Sequence, residues 1–328
     1  MEHLRLLKIF LLILFTNFFL SCLDDVPHDN PLDSHNNQGF VLQGKVTTFY
    51  PPVQTISNAV ITLFPDETKF FSNADGEFEI SGLSPGKYTV LCSAEGYAQD
   101  SITVDIQSNI NIDFHLDGLP FFENISLTTH HEIHSFQAED FFFLNIESMV
   151  NDLDGIADIN KVFFEIPEVS VIDTLEPSLD AGLFRKWLSI DDLPVSTIQT
   201  LIGRAFILNV SDDAGTTTQS EKRFLTRVIE QTPSLTAPIS FQTEFSDTLI
   251  FEWQKLNLSY WFEYTIEISQ IIQGSPVKAQ DISNISASEN SIAIVNTLSR
   301  GDYTWLIKVT DEFGNTSSSS SNGRFHIN

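Results

Sequence analysis

The chain has 328 residues, 44 of them acidic and 17 basic, with a formal net charge of −27. Such a surplus of negative charge repels nucleic acid and anionic lipid, so neither is expected to be held through a basic surface. With 42% hydrophobic residues and 28 Phe, the chain has the material for about two or three ordinary cores.

Arg5 and Lys8 open the chain, and Ile9 to Leu20 is apolar apart from Thr16 and Asn17. A positive start before a short apolar run is the pattern of a secretory signal peptide, and the run is shorter than the roughly 20 residues a transmembrane helix needs. It ends in Phe19-Leu20-Ser21-Cys22, and polar residues follow. This junction resembles the lipobox of a bacterial lipoprotein, with Phe19 where that motif usually has an aliphatic residue. The resemblance implies a leader over 1–21, lipid on the Cys22 thiol and membrane attachment through it. Leu23 stands where enteric lipoproteins carry the Asp that retains them at the inner membrane. The implied location is therefore the outer membrane, on its periplasmic or its surface face. An uncleaved anchor is the alternative.

Residues 22–38 are rich in Asp, Asn, His, Pro and Ser and show almost no apolar periodicity. They read as a flexible tether, whose coil would span roughly 20–25 Å. With Cys22 lipidated, Cys92 is the only unmodified cysteine, so no intrachain disulfide is expected. In the run Tyr88-Thr89-Val90-Leu91-Cys92 it reads as a small buried apolar residue.

Residues 39–118 break into seven short strands, Phe40–Thr47, Ala59–Phe64, Lys69–Ser72, Glu77–Ile80, Gly86–Ala94, Asp100–Ile106 and Asn109–Leu116. Asp75-Gly76 is a hairpin signal, because Gly tolerates positive φ. Gly44-Lys45-Val46, Asn58-Ala59-Val60-Ile61, Ala74-Asp75-Gly76-Glu77-Phe78, Leu83-Ser84-Pro85-Gly86 and Glu95-Gly96-Tyr97 occur in the order found in the carboxypeptidase regulatory-like domain. That resemblance implies a transthyretin-like β-sandwich of the carbohydrate-binding-like fold. It implies carbohydrate as a ligand class only through the fold.

Residues 121–230, after Leu119-Pro120, hold apolar runs of strand length: Phe141 to Ile146, Lys161 to Ile166 and Phe206 to Val210. Between the last two lies a less regular stretch, Asp180 to Thr200, with Trp187 and room for one short helix. This segment resembles an Ig-like sandwich.

Residues 232–328 show the clearest alternation. Leu249, Phe251 and Trp253 share one face, as do Phe262, Tyr264, Ile266 and Ile268, and then Tyr303, Trp305, Ile307 and Val309. Period two over successive strands predicts a half-buried antiparallel sandwich with Trp253 and Trp305 in its core. Phe251-Glu252-Trp253 and Arg300-Gly301-Asp302-Tyr303-Thr304-Trp305 resemble a fibronectin type III-like domain. Val210-Ser211-Asp212-Asp213-Ala214-Gly215-Thr216 echoes Val309-Thr310-Asp311-Glu312-Phe313-Gly314-Asn315, which suggests a shared turn in related modules.

No Gly-x-Ser-x-Gly, His-Glu-x-x-His or phosphate-binding glycine loop occurs, so a non-catalytic protein is expected. His130, Glu132 and His134 would share a strand face and could ligate zinc, or form an ordinary polar face. Asn151-Asp152-Leu153-Asp154-Gly155-Ile156-Ala157-Asp158 groups carboxylates around a glycine turn. Asp152, Asp154 and Asp158 suit calcium's preference for oxygen, and the same composition also makes a plain Asp-Gly turn. The segment is not an EF-hand, since Val150 and Lys161 fall at the first and last ligand positions. Asp75, Asp212 and Asp311 read as turn residues. Trp261 should face outward on its strand near Leu306, as an exposed apolar site for a sugar or a protein contact.

The expected architecture is all-β, with tandem β-sandwich domains after a leader and a tether. The expected function is a cell-envelope lipoprotein that displays these modules for binding, carbohydrate being one ligand class. The alternative is a structural or assembly partner of an outer-membrane protein complex.

Overall fold

A computed structural model describes residues 39–133, 140–245, 247–319 and 323–328. The leader, the tether and Cys22 lie outside the described residues, as does His134. The chain is all-β and divides into two compact units, 1–117 and 118–328. Among the described residues no helix is long and apolar enough to cross a membrane.

The described part of the first unit is a sandwich of two four-stranded sheets. One pairs Phe40–Thr48 with Glu77–Leu83 on one side and with Ile110–Asn111 and Phe114–Leu116 on the other. The other runs Thr68–Phe71, Val60–Phe64, Gly86–Ser93, Asp100–Ile106. Leu42, Val46, Ile61, Ile80, Val90 and Phe114 fill the space between them. The last expected strand, Asn109–Leu116, is split. Its middle bends toward the first strand, where Ile112 N–H donates to Gln43 O and Asp113 Oδ1 accepts from Lys45 N–H. Gly44 permits this, because a Cβ there would collide with the Ile112 carbonyl oxygen.

Asp75-Gly76 does not close a hairpin. The strands it joins, Thr68–Phe71 and Glu77–Leu83, belong to different sheets. Asn73 holds the turn by accepting from the N–H groups of Asp75 and Glu77 through Oδ1. The glycine serves a crossover, for which the same positive φ is needed.

The second unit contains two hydrophobic cores. In the middle sandwich, the sheet Glu176–Pro177, Leu183–Ser189, Asp140–Asn151, Phe121–Ile133 faces the sheet Val171–Thr174, Ile159–Ile166, Ala205–Asp212, Thr217–Gln219. Leu144, Ile146, Val162, Phe164, Phe206 and Leu208 lie between them. The stretch from 180 to 200 forms the strand Leu183–Ser189 and two short 3-10 turns rather than an α-helix.

In the last sandwich the alternation is realised residue by residue. Leu249, Phe251 and Trp253 are buried on Thr248–Gln254, and Tyr303, Trp305, Ile307 and Val309 on Gly301–Asp311. Both tryptophans are core residues, and Trp305 Nε1–H donates to Pro238 O at 2.8 Å.

The two cores of this unit are joined by hydrogen-bonded backbone. Thr316–Ser318 pairs antiparallel with Gly301–Asp311 on one side. On its other side it pairs parallel with Phe121–Ile133 of the middle sandwich, Thr316 opposite His130 and Ser318 opposite Glu132. One ten-stranded sheet therefore runs through both sandwiches. Buried Asn315 reinforces the seam, its Oδ1 accepting from both the N–H and the hydroxyl of Thr129.

Candidate functional site

The acidic run after Asp140–Asn151 is where the chain crosses from one sheet of the middle sandwich to the other. Asp152 follows the strand, Gly155 turns the chain at φ 110, and a single 3-10 turn, Ile156–Asp158, delivers Asp158 next to Ile159. A φ of that value with extended ψ is essentially restricted to glycine. Ile159 pairs with Asp212 at the end of Ala205–Asp212, so the ladder places Asp212 beside Asp158. Asp213 N–H donates to Asp158 O at 2.9 Å and fixes the two turns together.

Asp152, Asp158 and Asp212 converge, with one carboxylate oxygen of each within 4.8 Å of the others. They are 5%, 9% and 3% exposed. The first oxygens of Asp152 and Asp212 serve the fold: Asp152 Oδ1 accepts from Asp154 N–H at 2.7 Å, and Asp212 Oδ1 from Thr216 N–H at 2.7 Å. The Oδ2 atoms of all three are buried without a hydrogen-bond donor among the described residues. Two unit charges about 5 Å apart at an effective dielectric near 20 repel by roughly 3 kcal/mol. Burial, followed by the negative charges of Asp158, Asp154 and Asp212, pushes the Asp152 carboxyl up to about 6, against the pull of the Asp154 N–H. Burial and then Asp212 also raise Asp158.

Asp154 stands apart from this triad. Its Oδ2 accepts from Gly118 N–H at 2.6 Å, and a carboxylate oxygen also lies within 4.8 Å of one on Asp158. Gly118 fits closely here, since a Cβ would come 2.9 Å from oxygens of both Asp152 and Asp154. The Asp-Gly run thus lies in the loop that carries Asp152 and Asp158 of this cluster. Asp212, which reads as a turn residue, is both a turn residue and the third member of the cluster. Its signal in the sequence was the echo with Asp311.

The other expected sites fall differently. His130 Nδ1 and Nε2 are hydrogen-bonded to the hydroxyls of Thr316 and Thr128 at 2.8 and 3.0 Å, so both ring nitrogens are engaged. Trp261 is 58% exposed and directly precedes the strand Phe262–Ile272. Leu306 pairs with Glu267, six positions along that strand and roughly 20 Å away. The two do not form one site, because register, rather than shared outward direction, decides which residues meet.

A different aromatic group is exposed on the middle sandwich. Trp187 on Leu183–Ser189 is 48% exposed. Its ring lies 4.8 Å from that of His130 and 6.5 Å from that of Phe143. In the ladder Trp187 is opposite Asn145, whose Oδ1 is buried without a partner among the described residues. Phe143 is opposite His130, so the group spans three adjacent strands on one sheet face.

Comparison with known proteins identifies the first sandwich. Residues 41–117 match the carboxypeptidase regulatory-like domain. That segment is a carboxypeptidase regulatory-like domain, followed by two further β-sandwiches. No curated protein matches the sequence. Among solved structures, the chain is similar to BcpA, the major pilin subunit of Bacillus cereus, at 11% identity over 86% of this chain and 92% of that one, with a TM-score of 0.29. It is similar to the FN1–FN3 domains of chicken CNTN1 at 11% identity over 88% and 98%, with a TM-score of 0.34. A DUF3823 family protein from Bacteroides ovatus aligns at 14% identity over 56% and 97%, with a TM-score of 0.25.

Proposed function

We propose that this protein is a non-catalytic lipoprotein of the cell envelope, held in the outer membrane by lipid on Cys22, that displays its β-sandwich modules to bind carbohydrate. The anchoring rests on the charged start, the apolar run and the Ser21-Cys22 junction. The binding role rests on the Trp187 group. A half-exposed indole beside Phe143 and His130 offers an exposed aromatic surface on one sheet face. Such a surface suits a sugar, whose ring offers an apolar face on which an indole can stack.

The experiment is a glycan array probed with the wild type and with Trp187→Ala. Truncating an aromatic anchor costs about 2 kcal/mol or more, roughly thirtyfold in affinity. The variant should lose the signal while its melting temperature is preserved. Equal binding by the variant, or no glycan bound by the wild type, would remove the carbohydrate reading. For the anchor, Cys22→Ala should leave the membrane fraction or accumulate as precursor. Normal processing and membrane retention of that variant would exclude it.

A further inference from the structure

We propose that Asp152, Asp158 and Asp212 form a calcium site that clamps the crossover loop of the middle sandwich to the turn after Ala205–Asp212. The three carboxylates are each more than nine-tenths buried, and each presents an Oδ2 atom with no donor among the described residues. Buried polar atoms are almost always satisfied. Three carboxylates that each carry an orphaned acceptor, with one oxygen of each gathered within 4.8 Å, call for a cation. Two oxygens bound to one calcium at about 2.4 Å can lie up to about 4.8 Å apart, so the cluster has the dimensions of a coordination shell.

The same turn elsewhere in the chain shows what such an oxygen requires. Asp212 and Asp311 each end a strand, accept from a backbone N–H four residues on through Oδ1, and return their own N–H to the carbonyl of that residue. The second oxygen of Asp311 has a cation, Arg227 Nη1 at 3.3 Å, and the Asn315 amide at 3.0 Å. The Asp212 carboxylate has those of Asp152 and Asp158 instead. Where one turn meets a guanidinium, the other meets two more carboxylates, and a metal ion would resolve that difference.

The donor set is all oxygen, which selects hard cations over zinc. Calcium accepts about six to eight oxygens in a flexible shell, whereas magnesium holds its waters and demands octahedral geometry. Three buried carboxylates, with Asp154 alongside, favour calcium. Closure of the site would tie residues 152–158 to 212, the two ends of separate sheets.

The test is calcium titration by calorimetry of the full-length protein in mild detergent at neutral pH, with melting curves in calcium, magnesium and chelator. The expected result is binding that Asp212→Asn weakens at least tenfold, and a melting temperature raised by roughly 5 °C in calcium. Asp212→Asn keeps an acceptor for Thr216 N–H and removes one repelling charge, so in chelator it should melt no lower than the wild type. Identical wild-type curves in calcium and chelator would overturn the proposal without recourse to any variant. So would calcium binding that Asp212→Asn leaves unchanged, and an equal shift in magnesium would overturn the assignment to calcium.

Discussion

Arg227 places Nη1 3.3 Å from Oδ2 of Asp311, a carboxylate whose side chain is 0% exposed. The arginine comes from the segment between the two sandwiches of the second unit, and Asp311 ends the strand Gly301–Asp311 of the last one. Arg227 also makes a bidentate pair with Glu312 at 3.0 and 3.1 Å, and its guanidinium lies 3.8 Å from the Tyr260 ring centroid. Packing, charge and planar geometry all fix this group at the seam between the sandwiches.

Arg227→Ala should therefore be strongly destabilising. Removing one partner of a buried pair leaves an uncompensated charge, at a cost of about 3–5 kcal/mol. The hydrogen bonds that Asp311 retains from Asn315 place the expected loss at the lower end of that range. Arg227→Lys should recover little, because Lys lacks both the fork and the flat stacking surface. Glu312→Ala, at the exposed side of the same arginine, should cost far less than Arg227→Ala, because solvent screens that pair. Urea unfolding of the three variants checks this ordering.

The acidic cluster makes stability depend on pH when metal is withheld. The Asp152 carboxyl is near 6 in the folded chain and about 3.9 when unfolded. The folded state therefore holds this proton more tightly, with Asp154, Asp158 and Asp212 as the charges facing it. The stability contributed by protonated Asp152 is complete below about pH 3.9 and is lost as pH rises through about 6. In metal-depleted buffer the melting temperature of Asp152→Asn should fall less than that of the wild type over this window. Parallel profiles would show that Asp152 is not the group responsible.

The buried thiol gives a probe of the first sandwich. Burial, and secondarily the charge of Asp100, pushes Cys92 up to about 12. The thiolate is the reactive form. In a Cys22→Ala chain, where Cys92 is the only cysteine, native protein at pH 8 should thus resist an aromatic disulfide reagent, and reaction should appear only as the sandwich opens in urea. Fast labelling of the native chain would show that Cys92 is reached by local opening.

Much of this architecture is legible from period two alone. Leu249, Phe251 and Trp253 declare a buried face, as do Tyr303, Trp305 and Ile307, because a strand can bury alternate residues without any knowledge of its neighbours. Asp152 and Asp158 are legible for a similar reason, since one short loop carries both. Asp212 is not, because it reaches them through the pairing of Ile159 with Asp212, a contact between distant strands. The echo of 210–216 in 309–315 reveals a common turn, yet the cation beside Asp311 comes from Arg227, which lies outside the repeat. Trp187 is obscured by the irregular stretch around it, and its neighbours His130 and Phe143 come from other strands. The seam is the least legible feature. Thr316–Ser318 is three polar residues with no apolar pattern, and only its backbone edge recruits Phe121–Ile133.

That seam predicts how the second unit unfolds. Separate cores on either side of residue 230 would suggest independent melting, and a fragment 232–328 that folds alone would be the usual outcome for modules joined by a linker. Here Asn315 is fully buried, and its Oδ1 is satisfied only by Thr129 of the middle sandwich among the described residues. Ser317 donates to Gln231 O, and the edge of Thr316–Ser318 is covered by Phe121–Ile133. Removing 118–231 would strip Asp311 of Arg227, leave Asn315 Oδ1 unpaired and open a strand edge. Each lost partner of a buried polar group costs about 1–3 kcal/mol. The fragment 232–328 should accordingly melt far below 118–328, and calorimetry of 118–328 should show one transition for both cores. Two resolved transitions, with one matching the isolated fragment, would mean that the shared sheet does not couple the sandwiches and that the seam is only a contact between independent modules.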